Sequence, residues 1–206
     1  MLDRPMRRLL GPALDRAGRA LGARGVSADA LTFAGLGAGL AAAACVAARL
    51  DAAAFLLLVV NRVLDGLDGA VARATVRTDR GGFLDIVFDF VFYGAVPLAF
   101  ALRDPAANAV PAAALLFAFY VNGASFLAFA AIAAKRGLDD AALNGKSIHF
   151  TAGLAEGTET ILFFAAMMLW PAAFPLLAYA FAGLTLASAA ARVVAAWRAF
   201  RDPGDE

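Results

Sequence analysis

Apolar stretches recur along the chain at the length and spacing of membrane-spanning helices. Residues 30–48 contain no charged side chain. Residues 52–72 are apolar as far as Val60 and then carry Arg62, Asp65 and Asp68. Residues 82–102 carry Asp85 and Asp89 near their start, and residues 105–134 are uncharged, with 112–134 expected to span. Residues 160–191 are also uncharged but too long for one helix. The WPAAFP segment at 170–175 predicts a turn there, because Pro disfavours a helix interior and Trp suits a membrane interface. It separates a fifth helix over 150–170 from a sixth over 174–197. Before the first span, Leu2, Met6, Leu10, Leu14 and Leu21 recur at helical spacing with Arg4, Arg8, Arg16 and Arg19 largely opposite. That pattern predicts an amphipathic helix in the membrane interface, with a bend expected at Gly11–Pro12.

Composition agrees with the pattern. Of 206 residues, 62% are hydrophobic, 17% are charged, and the mean hydropathy is +0.73. Six spans of ~20 residues would consume most of that apolar content. A soluble domain, a disordered chain and a disulfide scaffold are excluded; Cys45 is the single cysteine. A net charge of +1 gives no case for nucleic-acid binding. Basic residues set the orientation: with six spans, sixteen of the eighteen Lys and Arg fall on one side, leaving Arg49 and Arg103 on the other. The positive-inside rule makes that side cytoplasmic. The expected fold is therefore an all-α integral membrane protein. It has an interfacial segment over 1–27, six transmembrane helices within 28–199, a short tail over 200–206, and both termini cytoplasmic.

The chemistry lies in the acids. Ionisable groups inside a span are costly and point to function. Asp65 and Asp68 are i,i+3 neighbours, Asp85 and Asp89 i,i+4 neighbours, so each pair shares a helix face. A short connection makes the two helices antiparallel neighbours, and all four carboxylates gather near the cytoplasmic end. Four anions in a low-dielectric pocket call for a cation, and oxygen-only ligation suits Mg²⁺ or Mn²⁺ better than zinc. Arg73 continues the Asp65 stripe and is suited to gripping phosphate. Gly66, Gly69, Ala70 and Ala72, with Gly81 and Gly82, let a ligand or another helix approach the backbone. Acid for metal, Arg for phosphate and Gly for access together describe a metal–diphosphate site.

These residues carry a resemblance. DGLDGAVAR (65–73), seven residues, then GGFLDIVFD (81–89) resembles the signature of the CDP-alcohol phosphatidyltransferase family, D-x2-D-G-x2-A-R, a spacer, G-x3-D-x3-D. All eight specified positions match: Asp65, Asp68, Gly69, Ala72, Arg73, Gly81, Asp85 and Asp89. NRVLDGLDG (61–69) with EGTET (156–160) is similar to a short bacterial inner-membrane branch of that family. The resemblance implies transfer of a substituted phosphate group from a CDP-alcohol, typically CDP-diacylglycerol, to the hydroxyl of an acceptor alcohol in phospholipid biosynthesis, with release of CMP. It implies two Mg²⁺ or Mn²⁺ ions on Asp65, Asp68, Asp85 and Asp89, with Asp89 also the base. Gly69, Arg73 and Gly81 would contact the CDP moiety, and the protein would be a homodimer.

Weaker signals remain open. Lys135, Arg136 and Lys146 suit a phosphorylated acceptor or the positive-inside rule alone. Glu156 and Glu159 suit an acceptor pocket or a structural bridge equally, and His149 nearby reads as a satisfied polar group. Asn122 and Ser125, mid-span, suit hydrogen bonds between helices. Gly35 and Gly39 form a GxxxG for close packing, within the chain or between two copies. Competing functions are a divalent-cation transporter or a non-catalytic lipid-binding membrane protein using the same carboxylates. A transporter usually repeats its site in two halves. No second copy of the Asp pattern exists here, and Arg73 would repel a cation.

Overall fold

A computed structural model describes residues 3–137 and 157–200. Lys146, His149, Glu156, residues 150–156 of the expected fifth helix and the end of the tail lie outside the described residues. Among the described residues the chain is entirely helical: α1 (Asp3–Ala23), α2 (Ala28–Ala47), α3 (Asp51–Ala74), α4 (Asp79–Arg103), α5 (Pro105–Lys135), α6 (Gly157–Leu169) and α7 (Phe174–Ala199). A single 3-10 turn, Pro171–Ala173, separates α6 from α7, where Pro and Trp predict a break.

Four described segments are long and apolar enough to cross a membrane: α2, α4, α5 and the stretch Pro171–Ala199 that contains α7. Two of the six expected spans, the second and the fifth, are not among these four. The α3 helix has the length but carries Asp51, Arg62, Asp65, Asp68 and Arg73. Of the expected fifth span, the described residues are the 13 of α6, which are apolar.

Capping accounts for the helix starts. Ser27 Oγ accepts from Ala30 N–H at the start of α2, Thr78 Oγ1 from Gly81 N–H at the start of α4, and Asp104 Oδ1 from Ala107 N–H at the start of α5. The α2 helix packs on both α3 and α4, α5 packs on α4 and α7, and α6 sits against α3 and α7. Aromatic rings fill the centre: Phe100 stacks on Phe174 at 4.2 Å, Phe163 on Phe181 at 4.4 Å, and Phe92 meets Phe164 edge-on. Lipid tails are as apolar as such a core, so close approach and interhelical hydrogen bonds must hold the helices together. The Gly35–Gly39 pair shows this. A Cβ on Gly39 would lie 2.7 Å from Phe92 and 3.1 Å from the Asn61 amide, and Asn61 Nδ2 donates to Gly35 O at 2.8 Å. The GxxxG therefore seats α2 on α3 and α4 inside one chain.

The α1 helix runs unbroken through Pro12 and lies parallel to the end of α3. Leu14 fills the space above Gly66, Gly18 meets Ala70, and Gly22 meets Thr75. The two arginines expected on the far side lie together, Arg103 paired with Asp51 and Arg49 donating to Arg103 O at 2.7 Å.

Candidate functional site

The signature carboxylates line a cleft where α3 and α4 both rest on α2. Direct packing of α3 on α4 is replaced by this cleft: α2 is the main neighbour of each, since Gly35 and Gly39 let it sit close. Asp65, Asp68, Asp85 and Asp89 line a space of about 20 Å³ with Thr32, Asn61, Arg62 and Phe88. That is room for one water or one bare ion. Asp68 is buried, while Asp65 and Asp89 are each about one-third exposed.

A second, larger cavity of about 610 Å³ adjoins the cleft, with Thr32, Asp68 and Asp85 bordering both. Its size falls in the range of small-molecule sites. Gly69, Arg73 and Gly81 all line it, as do Asp29, Arg77, Thr78 and Arg80. Each glycine has a reason. A Cβ on Gly69 would stand 3.3 Å from Arg73 Nη1, and one on Gly81 would stand 3.1 Å from Thr78 Oγ1, the cap of α4. Arg80 pairs with Asp29 and so ties the start of α4 to the start of α2.

Arg73 is held from outside the signature. Asp15 of α1 accepts from its Nη2 at 2.8 Å and its Nε at 3.3 Å, which leaves Nη1 on the Gly69 side. The Arg73 hydrogen bond keeps the exposed Asp15 carboxyl below the usual carboxylate range.

Arg62 lies among the acids. Its Nη1 is 3.5 Å from Asp65, its Nη2 is 3.4 Å from Asp89, and its Nε donates to Asn61 Oδ1 at 2.7 Å. The guanidinium also lies 5.3 Å from the centroid of the Phe92 ring. Charge counting alone places Arg62 with the positive-inside residues. Its position three residues before Asp65, on the same helix face, was the available signal.

Among the described residues, no three Asp, Glu, His or Cys side chains converge as a ligand set for a metal ion. The donor chemistry nevertheless fits a hard divalent cation: four carboxylates border one cleft, and a guanidinium already bridges two of them.

Elsewhere, Arg192 of α7 is buried and donates from Nη1 to Asn122 O at 3.2 Å, Asn122 Oδ1 at 2.9 Å and Ser125 Oγ at 2.8 Å. Asn122 and Ser125 thus bond across helices, to a partner the sequence did not reveal. Lys135 is exposed in the last turn of α5, and Glu159 lies in the first turn of α6; neither borders the two signature cavities.

Comparison with known proteins bears on this site. A family profile described as CDP-alcohol phosphatidyltransferase matches residues 26–198. The inner membrane protein YnjF of Escherichia coli (strain K12) is 47% identical over 174 residues, covering 84% of each chain. No solved structure gives a significant match.

Proposed function

The chain belongs to the CDP-alcohol phosphatidyltransferase family, and from that premise we propose that it catalyses metal-dependent transfer of a substituted phosphate group from a CDP-alcohol, CDP-diacylglycerol first among them, to the hydroxyl of an acceptor alcohol. In the transfer, an acceptor oxygen forms a bond to the distal phosphorus of the diphosphate. The bond from that phosphorus to the bridging oxygen breaks, CMP leaves, and the hydroxyl proton goes to a carboxylate. One observation carries the reading. The acid half of the signature and its Gly/Arg half border adjoining spaces that share Asp68 and Asp85. A diphosphate in the larger cavity therefore meets the carboxylate cleft at one end.

We assign roles on that basis. Asp65, Asp68, Asp85 and Asp89 would hold Mg²⁺ or Mn²⁺, two ions in all, with Asp68 and Asp85 bordering both spaces. The metal supplies charge to offset the diphosphate and the leaving phosphate of CMP. Arg73, steadied by Asp15, offers Nη1 to a phosphate oxygen, and Gly69 leaves the space for it. Gly81 keeps the wall of the cavity flat at the start of α4. Asp89 accepts the proton of the acceptor hydroxyl.

Lys135, Lys146, Glu156 and Glu159 are the candidates for the acceptor pocket; of these, Lys135 ends α5 and Glu159 begins α6. The enzyme spans an inner membrane six times with this site facing the cytoplasm, and it works as a homodimer. Because the GxxxG of α2 is engaged within the chain, it takes no part in that dimer.

The test is purified protein with Mn²⁺ or Mg²⁺, CDP-diacylglycerol and a panel of acceptor alcohols, scored for CMP. Metal-dependent CMP release with at least one acceptor is the expected result. No CMP from any acceptor, with CDP-diacylglycerol or another CDP-alcohol as donor, would overturn the reading.

A further inference from the structure

We propose that Arg62 is an internal competitor for the metal, bridging Asp65 and Asp89 so that ligation by these carboxylates requires the guanidinium to release them. The inference rests on the reading of the acids as metal ligands, and it concerns a residue with no assigned role.

Four contacts define the position. Nη1 and Nη2 face Asp65 and Asp89 at 3.5 and 3.4 Å. Nε is anchored on Asn61 Oδ1 at 2.7 Å, and the Phe92 ring lies against the guanidinium at 5.3 Å. Asn61 is itself fixed by its bond to Gly35 O at 2.8 Å, so the anchor belongs to the α2–α3 packing. The two kinds of contact differ in strength. The bond to Asn61 is short, while those to the carboxylates lie at the long end of the hydrogen-bond range. Arg62 can therefore keep its Nε anchor while Nη1 and Nη2 give up the acids.

The charge balance points the same way. Asp65, Asp68, Asp85 and Asp89 bring four carboxyl groups to a cleft where, among the described residues, Arg62 is the one cation on the border. One guanidinium contacts two of the four, so the cleft still offers oxygen ligands to a divalent ion. Two of the four, however, are bonded to Arg62 from opposite walls, Asp65 on α3 and Asp89 on α4. A carboxylate oxygen that accepts from a guanidinium N–H is less available to a metal. Binding must pay that exchange, which lowers affinity in the absence of substrate. A diphosphate arriving with the metal gives the released Nη groups new acceptors. Substrate therefore relieves the competition, and the metal is held firmly only when a diphosphate is present.

The experiment measures Mn²⁺ binding to the purified full chain by isothermal titration, without CDP and then with CDP. Arg62→Gln should bind Mn²⁺ about three- to tenfold more tightly than wild type without CDP, and CDP should enhance its Mn²⁺ affinity less. Its thermal midpoint without metal should fall, and added Mn²⁺ should raise it more than in wild type. Arg62→Lys keeps a charge but lacks the fork that bridges two carboxylates, so it should shift in the same direction by less. Unchanged or weaker Mn²⁺ binding in Arg62→Gln would overturn the proposal. If the Gln variant does not fold, unchanged or weaker binding in Arg62→Lys would do so. A wild-type chain that binds no Mn²⁺ with or without CDP would instead overturn the metal reading on which this rests.

Discussion

Arg62 and Arg192 both lie between helices of this bundle, and their surroundings are opposite. Arg62 lies among carboxylates, reaching Asp65 and Asp89 across the cleft between α3 and α4. Arg192 lies between α5 and α7 among neutral oxygens, those of Asn122 and Ser125. Both exploit a nearby ring, Phe92 for Arg62 and Phe126 for Arg192. At Arg192 the hydrogen bonds tie two helices together, which is structural work. At Arg62 acids outnumber the cation by four to one, so the group is not closed electrostatically. Four acids gathered on one cleft offer the oxygen ligands that a further cation needs.

The largest expected effect tests the acid side. Asp89→Asn keeps the size of the side chain but cannot take a proton from the acceptor. Turnover should fall about 10²–10⁴-fold, measured as CMP release, while the protein remains folded. Near-wild-type turnover would remove Asp89 as the base.

The neutral side predicts a different loss. Arg192→Met fills similar volume but leaves the Asn122 and Ser125 oxygens without their donor. Thermal unfolding in detergent should show a cost of about 1–3 kcal/mol, with Mn²⁺ affinity unchanged. A shift in Mn²⁺ affinity as large as that expected of Arg62→Gln would erase the distinction between the two regions.

A smaller effect comes from the packing that brings α1 to the site. A Cβ on Gly18 would lie 2.6 Å from Ala70 Cβ and 2.7 Å from the Ala70 backbone carbon. Backbone cannot give way as a side chain can, so Gly18→Ala should displace α1 at a cost of about 1–3 kcal/mol. Because Asp15 rides on α1, CDP binding should weaken as well. Thermal unfolding and CDP titration read the two consequences separately.

The smallest is Asp15→Asn, which should weaken CDP binding several-fold near neutral pH. Its pH dependence has a definite sign. The Arg73 hydrogen bond lowers the Asp15 pKa from 3.8, so its contribution is complete above that value and is lost as pH falls through the lowered one. The gap between wild type and Asp15→Asn in CDP affinity should therefore close in acid. A gap that widened on acidification would contradict the orienting role.

Much of this arrangement was legible along the chain because its elements are local. Apolar runs predicted helices over 30–48, 82–102 and 174–197, and the structure has Ala28–Ala47, Asp79–Arg103 and Phe174–Ala199. The Pro and Trp between α6 and α7 marked their break. The signature spacing grouped the four acids on two helix faces, and the structure brings them to one cleft. What sequence could not supply were contacts between distant elements. Asp15 and Arg73 are 58 positions apart, and Asn122 and Arg192 are 70 apart. Helical periodicity fixes which residues share a face, but not which helix that face meets. Gly35 and Gly39 illustrate the limit: their spacing promised a close approach, and only the packing identified Asn61 and Phe92 as the neighbours.

The central claim is that the acid half and the Gly/Arg half of the signature work as one site. The most direct measurement is a pair of titrations on the wild-type chain, CDP binding with and without Mn²⁺ and Mn²⁺ binding with and without CDP. If the halves share Asp68 and Asp85 as one site, each ligand strengthens the other by the same factor, about 5–150-fold. Two ligands that bind independently, each with an affinity indifferent to the other, would contradict it.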